Sequence, residues 1–319
     1  MRILVTGITG LIGSHLASYL IHKKNVEVFG FKRWRSSEDN IKDLLGKISL
    51  IEGDIQDFTS VRKAVEMSRP DWVFHLAAQS YPKESLTAPH ITFKINVEGT
   101  INLLEAIRNW NPNSKVHIAS SSAVYGFVNP EDIPISEDQP PRPLSPYGVS
   151  KVAQEQLGYQ YFKNYGIRTY IARFFNQAGP GQNERSAIQT FAKQATLIEK
   201  GKQKPTIYVG NLKARRDYTD IRDTARALWL LMQKGKPGQI YNIGSGKSVV
   251  IGDLLDLILD RIKLKVEIKV DKERLRLSDE PVLEADITRF RNQTEWKPRH
   301  TMEDTVESVV EFWRRQIQL

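Results

Sequence analysis

A tyrosine and a lysine four residues apart form a pair that could move a proton. Tyr147 and Lys151 belong to the run Tyr-Gly-Val-Ser-Lys, and a helix would place both side chains on one face. A phenol with a pKa of about 10 is a poor acid or base at neutral pH, but a nearby ammonium favours the phenolate and lowers that pKa. Ser145 and Pro146 are suited to begin the helix that carries the pair. Because Tyr-x-x-x-Lys also occurs by chance in helices, the pair needs support from other motifs.

A run of hydroxyls precedes this pair in the chain. Residues 119–126 read Ala-Ser-Ser-Ser-Ala-Val-Tyr-Gly and follow an apolar, strand-like stretch. The carboxyl ends of parallel strands line the crevice in which α/β folds bind their ligands. The sequence therefore predicts that a serine of this run faces that crevice.

Three glycines separate the first predicted strand from the first predicted helix. Gly7 allows a tight turn, Gly10 allows the backbone to approach a pyrophosphate, and Gly13 allows the helix to pack closely on the strand. The start of such a helix offers free N–H groups and a positive dipole end to phosphates. A glycine-rich turn also arises by chance, but its place directly after an N-terminal strand favours a dinucleotide site.

The second predicted strand ends in cations where an NAD site has an acid. A carboxylate about 20 residues past the glycines would accept the ribose 2′-hydroxyl of NAD. Here the chain has Lys32, Arg33 and Arg35, which would attract a 2′-phosphate, so we expect NADP(H), with NAD still possible. The alternative is an exposed basic loop. Asp54 is placed to bond an adenine edge, and Asp57 to cap the next helix.

The elements that must position these residues alternate between strand and helix. Apolar runs typical of strands buried on both faces lie at 2–6, 26–31, 49–51, 72–76, 116–119 and 169–173. Amphipathic helical stretches lie between them. This order predicts an α/β fold of the Rossmann type, a doubly wound parallel sheet. His117 lies inside one of these apolar strands, so we expect a satisfied core residue and not a catalyst.

The regular alternation of strand-like and helix-like segments ends after residue 175. This change predicts a smaller, interleaved C-terminal substrate domain. We expect a loop over 176–185, a polar loop over 274–282, and helices or strands at 187–200, 205–209, 224–233, 239–243, 251–261 and 303–315. The predicted cofactor domain comprises 1–175 and about 217–243. The predicted substrate domain comprises 176–216 and 244–319.

Composition limits the classes of protein that the chain can be. It has 319 residues, no cysteine and a net charge of +9, so disulfides, thiolate metal sites and a cysteine nucleophile are excluded. It has no apolar run long enough for a membrane span and no signal-like start, so we expect a cytoplasmic protein. The charge alone admits nucleic acid, a membrane surface or a phosphorylated ligand. Between 183 and 236 there are 12 Lys and Arg against 5 Asp and Glu, which favours a phosphorylated small molecule.

With the glycine turn, the serine run and the Tyr-x-x-x-Lys pair, the chain resembles the extended short-chain dehydrogenase/reductase family over its full length. The resemblance implies catalytic roles for Tyr147 as acid/base, Lys151 as its pKa modulator and ribose ligand, and Ser121 as the hydroxyl that holds the reacting sugar oxygen. Residues 75–79 match the segment of the family that lines the cofactor, and Asn96 matches a helix start of the family. The expected cofactor-binding positions are Gly7, Thr9, Gly10, Leu11, Ile12, Lys32, Arg33, Arg35, Asp54, Ile55, Leu76, Ala77, Ala78, Tyr147 and Lys151.

The residue at position 123 bears on the reaction. The 4,6-dehydratases of this family carry a glutamate there, which removes the C5 proton of the sugar. Ala123 cannot do so, and loss of a general base costs roughly 10²–10⁴-fold in rate. Other segments, at 30–37, 76–80 and 210–217, still resemble the GDP-mannose 4,6-dehydratase branch.

The chain also resembles a branch that reduces GDP-4-keto-6-deoxymannose to GDP-rhamnose and that keeps these segments. This resemblance is strongest in the second half of the chain, over 174–182, 215–223 and 270–283. Leu277 departs from the proline expected there, and Ala123 from a glutamate common in that branch. The resemblance implies a GDP-linked sugar nucleotide as the small-molecule partner. The expected substrate-binding residues are Gln79, Ser122, Asn176, Arg216 and Arg276, with no metal.

Several alternatives remain open. Arg216 could instead pair with Asp217 or Asp220. A sugar-nucleotide 4-epimerase with bound NAD shares the serine run. Such epimerases usually carry an acid after the second strand, and this chain has none there. A nucleotide-sensing regulator and a nucleic-acid binder are further readings, the last without a supporting motif. The helices around 97–110 and 147–165 resemble those that form the dimer bundle of the family, so we expect a homodimer.

Overall fold

The computed structural model describes residues 1–263, 265–275 and 280–317. In these ranges the strands are β1 (Arg2–Thr6), β2 (Glu27–Lys32), β3 (Ser49–Glu52), β4 (Trp72–His75), β5 (Lys115–Ser121), β6 (Arg168–Phe174), β7 (Asn176–Ala178), β8 (Thr206–Val209), β9 (Arg215–Asp220), β10 (Ile240–Ile243), β11 (Ser248–Val250), β12 (Glu267–Val270) and β13 (Val282–Leu283). The helices are α1 (Leu11–Leu20), α2 (Phe58–Ser68), α3 (Pro82–Thr87), α4 (Pro89–Phe93), α5 (Gly99–Trp110), α6 (Pro146–Tyr165), α7 (Ala187–Glu199), α8 (Ile221–Lys234), α9 (Ile251–Ile262), α10 (Thr288–Thr294) and α11 (Met302–Gln316).

The larger sheet of the described chain contains seven parallel strands in the order β10-β6-β5-β4-β1-β2-β3. Its strands are apolar on both sides because helices cover both faces, with α1 and α8 on one face and α2, α5 and α6 on the other. The strand order reverses between β1 and β4. A crevice therefore opens at the carboxyl ends of these two strands, where doubly wound sheets bind nucleotides. The Rossmann-type fold expected from the sequence is confirmed by this topology.

Local signals in the sequence begin and end the helices that face this crevice. The Ser145 side chain accepts a hydrogen bond from the N–H of Gly148 at 3.1 Å, and Pro146 occupies the first turn of α6. Gly166 ends α6 in the left-handed region, with φ +72°. Asp57 caps α2 by accepting bonds from Thr59 and Ser60, as the sequence predicts.

A second group of elements packs apart from the large sheet. Strand β9 pairs with β7, β11 and β13, while β8 pairs with β12. Helices α7, α9 and α11 bury their apolar faces together around a separate hydrophobic core. Strand β10 returns to the larger sheet, so the chain passes between the two groups more than once.

Three sequence expectations differ from the observed elements. The loop expected over 176–185 begins with strand β7, because its backbone pairs with β9. The domain boundary expected near 217 falls inside β9, a strand of the smaller sheet. The polar loop expected over 274–282 lies partly outside the described residues, and its last residue begins β13.

Within the described ranges, none of the helices is both long and apolar enough to cross a membrane. The same part of the chain has no group of three or more His, Asp or Glu residues arranged to hold a metal ion.

Candidate active site

The glycine turn lies at the reversal point of the sheet, between β1 and α1. Gly7 has φ +70°, and a Cβ atom there would come within 2.8 Å of the backbone nitrogen of Ala77. At Gly13 a Cβ atom would lie 2.4 Å from the carbonyl oxygen of Gly7. The Thr6 hydroxyl accepts the N–H groups of Leu76 and Ala77 at 3.2 and 3.1 Å. The turn is therefore fixed against segment 76–78, the two pieces of chain expected to line the cofactor.

The start of α1 lies directly after this turn and could bind a phosphate. Gly10 precedes the helix, and among the described residues no side chain caps it. Its first N–H groups and positive dipole end consequently face the turn. Leu11 and Ile12, two expected cofactor-binding positions, form the first turn of α1, and Thr9 lies in the preceding loop.

Tyr147 and Lys151 lie one helical turn apart at the start of α6, at the carboxyl end of β5. Both side chains are buried, with 7% and 3% of their surface exposed. The Lys151 ammonium donates a hydrogen bond to the Ala119 carbonyl at 2.8 Å and lies 5.7 Å from the centre of the Tyr147 ring. Ser121 ends β5, and its hydroxyl accepts the N–H of Ala123 at 3.2 Å. The structure brings the three predicted catalytic side chains together.

Burial changes the acid–base properties of this group. It raises the pKa of Tyr147, while a hydrogen bond with Ser121 lowers that pKa. Burial also lowers the pKa of Lys151 to about 7, although the charge of Glu155 raises it. A lysine with this pKa exchanges its proton near neutral pH, and a hydroxyl beside it has a local source of positive charge. The arrangement can donate a proton to an oxygen that develops negative charge.

The segment after β4 is held by Asn96, which lies in the π-helical segment Lys94–Glu98 between α4 and α5. Its amide accepts the N–H of Gln79 at 2.8 Å and donates to the Gln79 carbonyl at 3.0 Å and to the Ser150 hydroxyl at 2.9 Å. The Gln79 side chain also bonds the backbone of Tyr81. Asn96 thus joins the expected substrate residue Gln79 to the helix of the tyrosine.

The three cations predicted to bind a 2′-phosphate after β2 are not equally available in the structure. Lys32 is only 6% exposed, and its ammonium lies 3.0 Å from Glu52 and 3.1 Å from Glu38. The hydrogen bond that the Lys32 ammonium donates to the Glu52 carboxylate raises the pKa of Lys32. Arg33 and Arg35 are exposed. Of the three cations expected to bind a 2′-phosphate, Lys32 is already paired with carboxylates, and only the two arginines face solvent.

The next two cofactor positions lie in the turn after β3. Asp54 is half-buried, and its Oδ1 accepts the backbone and side-chain N–H groups of Gln56 at 3.0 and 3.1 Å. Ile55 is buried against Gly99 at the start of α5. The second carboxylate oxygen of Asp54 is the acceptor to consider for an adenine edge.

The expected substrate residues fall on both groups of elements. Ser122 is buried directly after β5, and Asn176 begins β7 opposite Tyr218 of β9. Arg216 is buried in β9, where its guanidinium donates to the carbonyls of Arg215 and Glu280 at 2.8 and 2.7 Å. Arg276 and Leu277 lie outside the described residues.

Loop 179–186, between β7 and α7, crosses the crevice between these groups, a feature that sequence reasoning missed. The Asn40 amide donates to the carbonyls of Thr9 and Gly181, both at 3.1 Å. At the other side of the crevice, Asn183 bonds Tyr81, and Arg185 pairs with Glu84. These partners are 31 to 141 residues apart in the chain, so no local sequence pattern indicates them.

His117 is a core residue, but the expectation that it is satisfied is wrong. Its ring lies between those of Phe74 and Phe174, with centres 5.8 and 5.9 Å away. Both ring nitrogens are buried without a hydrogen-bond partner among the described residues. Burial lowers the pKa of His117 to about 3, so the ring is neutral at physiological pH.

Comparison with known proteins places the whole arrangement in one family. The family described as GDP-mannose 4,6 dehydratase matches residues 4–309. A GDP-6-deoxy-D-mannose reductase of Pseudomonas aeruginosa is 32% identical over 317 residues, which cover 99% of this chain and 98% of that protein.

Two solved structures have closely similar folds. RMD from Pseudomonas aeruginosa complexed with NADPH superposes with a TM-score of 0.87 at 29% identity, covering 99% of this chain and 100% of that one. The UDP-glucose 4-epimerase of Thermus thermophilus in complex with NAD has a TM-score of 0.87 at 29% identity, covering 98% and 99% of the two chains. The resemblance to the extended short-chain dehydrogenase/reductases is confirmed, and the chain belongs to the GDP-mannose 4,6-dehydratase family of NAD(P)-dependent sugar-nucleotide enzymes.

Proposed function

We propose that this enzyme reduces the C4 ketone of a GDP-4-keto-6-deoxyhexose with NADPH, forming GDP-rhamnose or its C4 epimer from GDP-4-keto-6-deoxymannose. The observation that carries the proposal is a complete proton-donating group, Ser121, Tyr147 and Lys151, beside Ala123, which has no acid or base. Reduction needs a proton donor at the ketone oxygen. Dehydration needs an additional base for a carbon-bound proton.

The position of Ala123 supports reduction over dehydration. Its carbonyl oxygen packs against Gly148, where a Cβ atom would come within 2.6 Å, so residue 123 adjoins the first turn of α6 and Tyr147. This is the position at which the resemblance implies the glutamate base of a dehydratase. A methyl group there leaves the dehydratase reaction without its base, although dehydratases belong to the same family.

The residues present fit a dinucleotide cofactor. Gly7 allows the turn to lie directly against the backbone of Leu76 and Ala77, and the uncapped start of α1 offers N–H groups to a pyrophosphate. We assign the 2′-phosphate to Arg33 and Arg35, with Lys32 contributing from its ion pairs. The P. aeruginosa relative complexed with NADPH supports NADP(H), whereas the NAD-bound epimerase leaves NAD as the alternative.

The reaction then needs few groups of the chain. When bound, NADPH supplies a hydride to the C4 carbon. The Tyr147 hydroxyl donates its proton to the C4 oxygen, and Ser121 donates a hydrogen bond to the same oxygen. The Lys151 ammonium, 5.7 Å from the centre of the Tyr147 ring, would stabilise the phenolate that remains on Tyr147, and we assign to it the ribose hydroxyls of the cofactor as well. One hydride and one proton convert the ketone to the alcohol.

The substrate diphosphate is assigned to Asn176, Arg216 and Arg276, because a guanidinium fork suits phosphate oxygens. Gln79 and Ser122 are assigned to the sugar. Among the described residues of this set, Gln79 and Ser122 follow strands of the larger sheet, whereas Asn176 and Arg216 lie in β7 and β9 of the smaller one. A two-part ligand such as a sugar nucleotide requires groups from both. GDP as the nucleotide is supported by the reductase relative and by the family description.

We also propose a homodimer formed through α5 and α6. Apolar side chains on these two helices are exposed, as expected for a surface that a second copy covers: Trp110, Val149, Tyr159 and Tyr165, between 42% and 48% exposed.

The test follows NADPH absorbance while the enzyme turns over GDP-4-keto-6-deoxymannose. Stoichiometric NADPH oxidation is expected, together with a deoxyhexose product. The control reaction contains GDP-mannose and NADP⁺ and is expected to form no keto sugar. Dehydration of GDP-mannose in that control would contradict the role given to Ala123.

A sugar-nucleotide 4-epimerase is the second candidate, because the serine run at 120–122 and the similar epimerase structure favour it. An epimerase reduces its own intermediate and so keeps its cofactor bound. Mass spectrometry of the small molecules released from the purified enzyme distinguishes the two. Stoichiometric NAD supports the epimerase and contradicts the reductase.

A further inference from the structure

A buried ion pair lies behind the catalytic helix and has no part in the proton transfer described above. Glu155 of α6 and Arg173 of β6 are both buried, with side chains 0% and 4% exposed. The pair is bidentate, because Arg173 Nε and Nη2 each donate to a different Glu155 oxygen at 2.8 Å. Burying two charges is costly unless geometry and further hydrogen bonds compensate. The contribution of this pair to the site follows from its further contacts.

Further bonds join this pair to the strand that ends in Ser121. The Ser120 hydroxyl donates to Glu155 at 2.5 Å. The preceding residue, Ala119, supplies the carbonyl that binds the Lys151 ammonium at 2.8 Å. Glu155 therefore contacts β5 one residue after the Lys151 contact and one residue before the catalytic serine.

Glu155 is also the acidic neighbour of Lys151 on their own helix. The two residues are four apart in α6, which places them on one helix face. A cation in a buried site is unfavourable, and a carboxylate on the same face is the direct compensation for it. Burial lowers the pKa of Lys151, and the charge of Glu155 opposes that change.

Other titratable groups near Lys151 do not supply this compensation. His75 of β4 and His117 of β5 are buried, which lowers the pKa of each to about 3, so both are neutral at pH 7. Tyr147 on α6 is neutral until its proton is donated. Arg173 of β6, which pairs with Glu155, is itself a cation and so cannot compensate the charge of Lys151.

We propose that Glu155, fixed by Arg173 and Ser120, is a positioning residue that keeps the Lys151 ammonium charged and in place beside Tyr147. The site then contains two buried cations and one carboxylate, so one unit of positive charge remains for the tyrosine and the cofactor. Arg173 fixes the direction of the carboxylate, since its guanidinium also donates to the Glu137 carbonyl at 3.1 Å and stacks 4.8 Å from the Tyr125 ring. The consequence of this role for catalysis rests on the proposed function. The effect of Glu155 on the charge of Lys151 does not.

The test titrates Lys151 directly in the full-length folded protein. Lysines are labelled with ¹³C at Cε, and the Lys151 resonance is assigned from its loss in Lys151→Arg. In Glu155→Gln we expect the titration midpoint to fall by about one pH unit or more, because the buried ammonium loses the carboxylate charge that raises its pKa. Glu155→Asp keeps the charge and is expected to restore most of the midpoint.

A second variant covers the case in which Glu155→Gln leaves Arg173 unpaired and does not fold. In the double variant Glu155→Gln/Arg173→Met both members of the pair are uncharged, a replacement that buried ion pairs often tolerate. The charge of Glu155 raises the pKa of Lys151, so the Lys151 midpoint is again expected to fall, although loss of the Arg173 charge makes the fall smaller than in Glu155→Gln.

A purely structural role would change thermal stability and leave the Lys151 midpoint unchanged. An unchanged midpoint in whichever of the two charge-removing variants folds would overturn the proposal. The titration needs neither substrate nor cofactor. If the reductase assay fails and the Lys151 midpoint still moves, only the proposed function is rejected.

Discussion

Removal of the two exposed arginines after β2 should weaken the binding of NADPH and leave the binding of NADH nearly unchanged. Lys32 is held by Glu38 and Glu52, at 3.1 and 3.0 Å, so its charge is largely compensated before a cofactor binds. Arg33 and Arg35 are exposed and face solvent. The double variant Arg33→Ser/Arg35→Ser therefore removes the cations that are free to meet a 2′-phosphate, while the glycine turn and α1 remain intact.

The expected loss follows from the exposure of these side chains. A hydrogen bond between charged groups contributes more than a neutral one, and exposure places each arginine at the low end of that range, about tenfold in affinity. Together the two substitutions should weaken NADPH binding by roughly 100-fold. NADH has no 2′-phosphate, so its affinity should change less than about threefold.

Isothermal titration calorimetry with each cofactor measures both values at one salt concentration. Lys47→Ser is the matched control, since Lys47 is an exposed cation near the same edge of the sheet, and it bonds the Asp43 carbonyl. It should leave both affinities nearly unchanged. An equal loss of NADPH and NADH binding in the double variant, or no loss at all, would refute the assignment of the 2′-phosphate to these arginines.

Three further outcomes follow from the same geometry. Tyr147→Phe should lower turnover by about 10²–10⁴-fold with little change in NADPH affinity, because only the donated proton is lost; stopped-flow absorbance and calorimetry measure the two, and near-normal turnover would reject Tyr147 as the acid. Gly7→Ala should abolish cofactor binding and lower the free energy of unfolding by about 1–3 kcal/mol, because φ is +70° and the new Cβ would meet Ala77 at 2.8 Å. Normal cofactor binding in calorimetry would contradict the assignment of the glycine turn to the cofactor. Burial lowers the pKa of Lys151 to about 7, against about 10.4 when unfolded, so the unfolded chain binds more protons between these values and stability should rise with pH there, by up to about 1.4 kcal/mol per unit. Urea unfolding at pH 7 to 9.5 should show this gain relative to Lys151→Met, and parallel pH profiles would rule it out.

Local patterns predicted the parts of the site that are local. The glycine turn, the Ser145 cap and the Tyr147–Lys151 spacing each lie within a few residues, so their geometry follows from helix and turn rules. The strands of the larger sheet were predicted within two residues at each end, because their apolar runs are nearly continuous.

The parts that the sequence did not predict depend on residues far apart in the chain. Lys32 looked free because its neighbours in the chain are apolar or basic, yet Glu52 of the neighbouring strand β3 pairs with it, and Glu38 folds back from the loop after β2 to do the same. The Glu155–Arg173 pair joins α6 to β6, and the contacts of Asn40 join the two groups of elements. Periodicity reports which face of an element is buried, but it does not report which charged partner another element supplies.

The measurement that tests the central claim most directly is a single assay of substrate and cofactor. Purified enzyme is mixed with GDP-4-keto-6-deoxymannose and NADPH, absorbance is followed at the nicotinamide band, and the sugar product is identified by NMR. We expect one NADPH oxidised for each ketone lost, and a 6-deoxyhexose with a hydroxyl at C4. A ketone left intact with NADPH unconsumed, while the enzyme interconverts C4 epimers of a sugar nucleotide with its own bound NAD, would contradict the account.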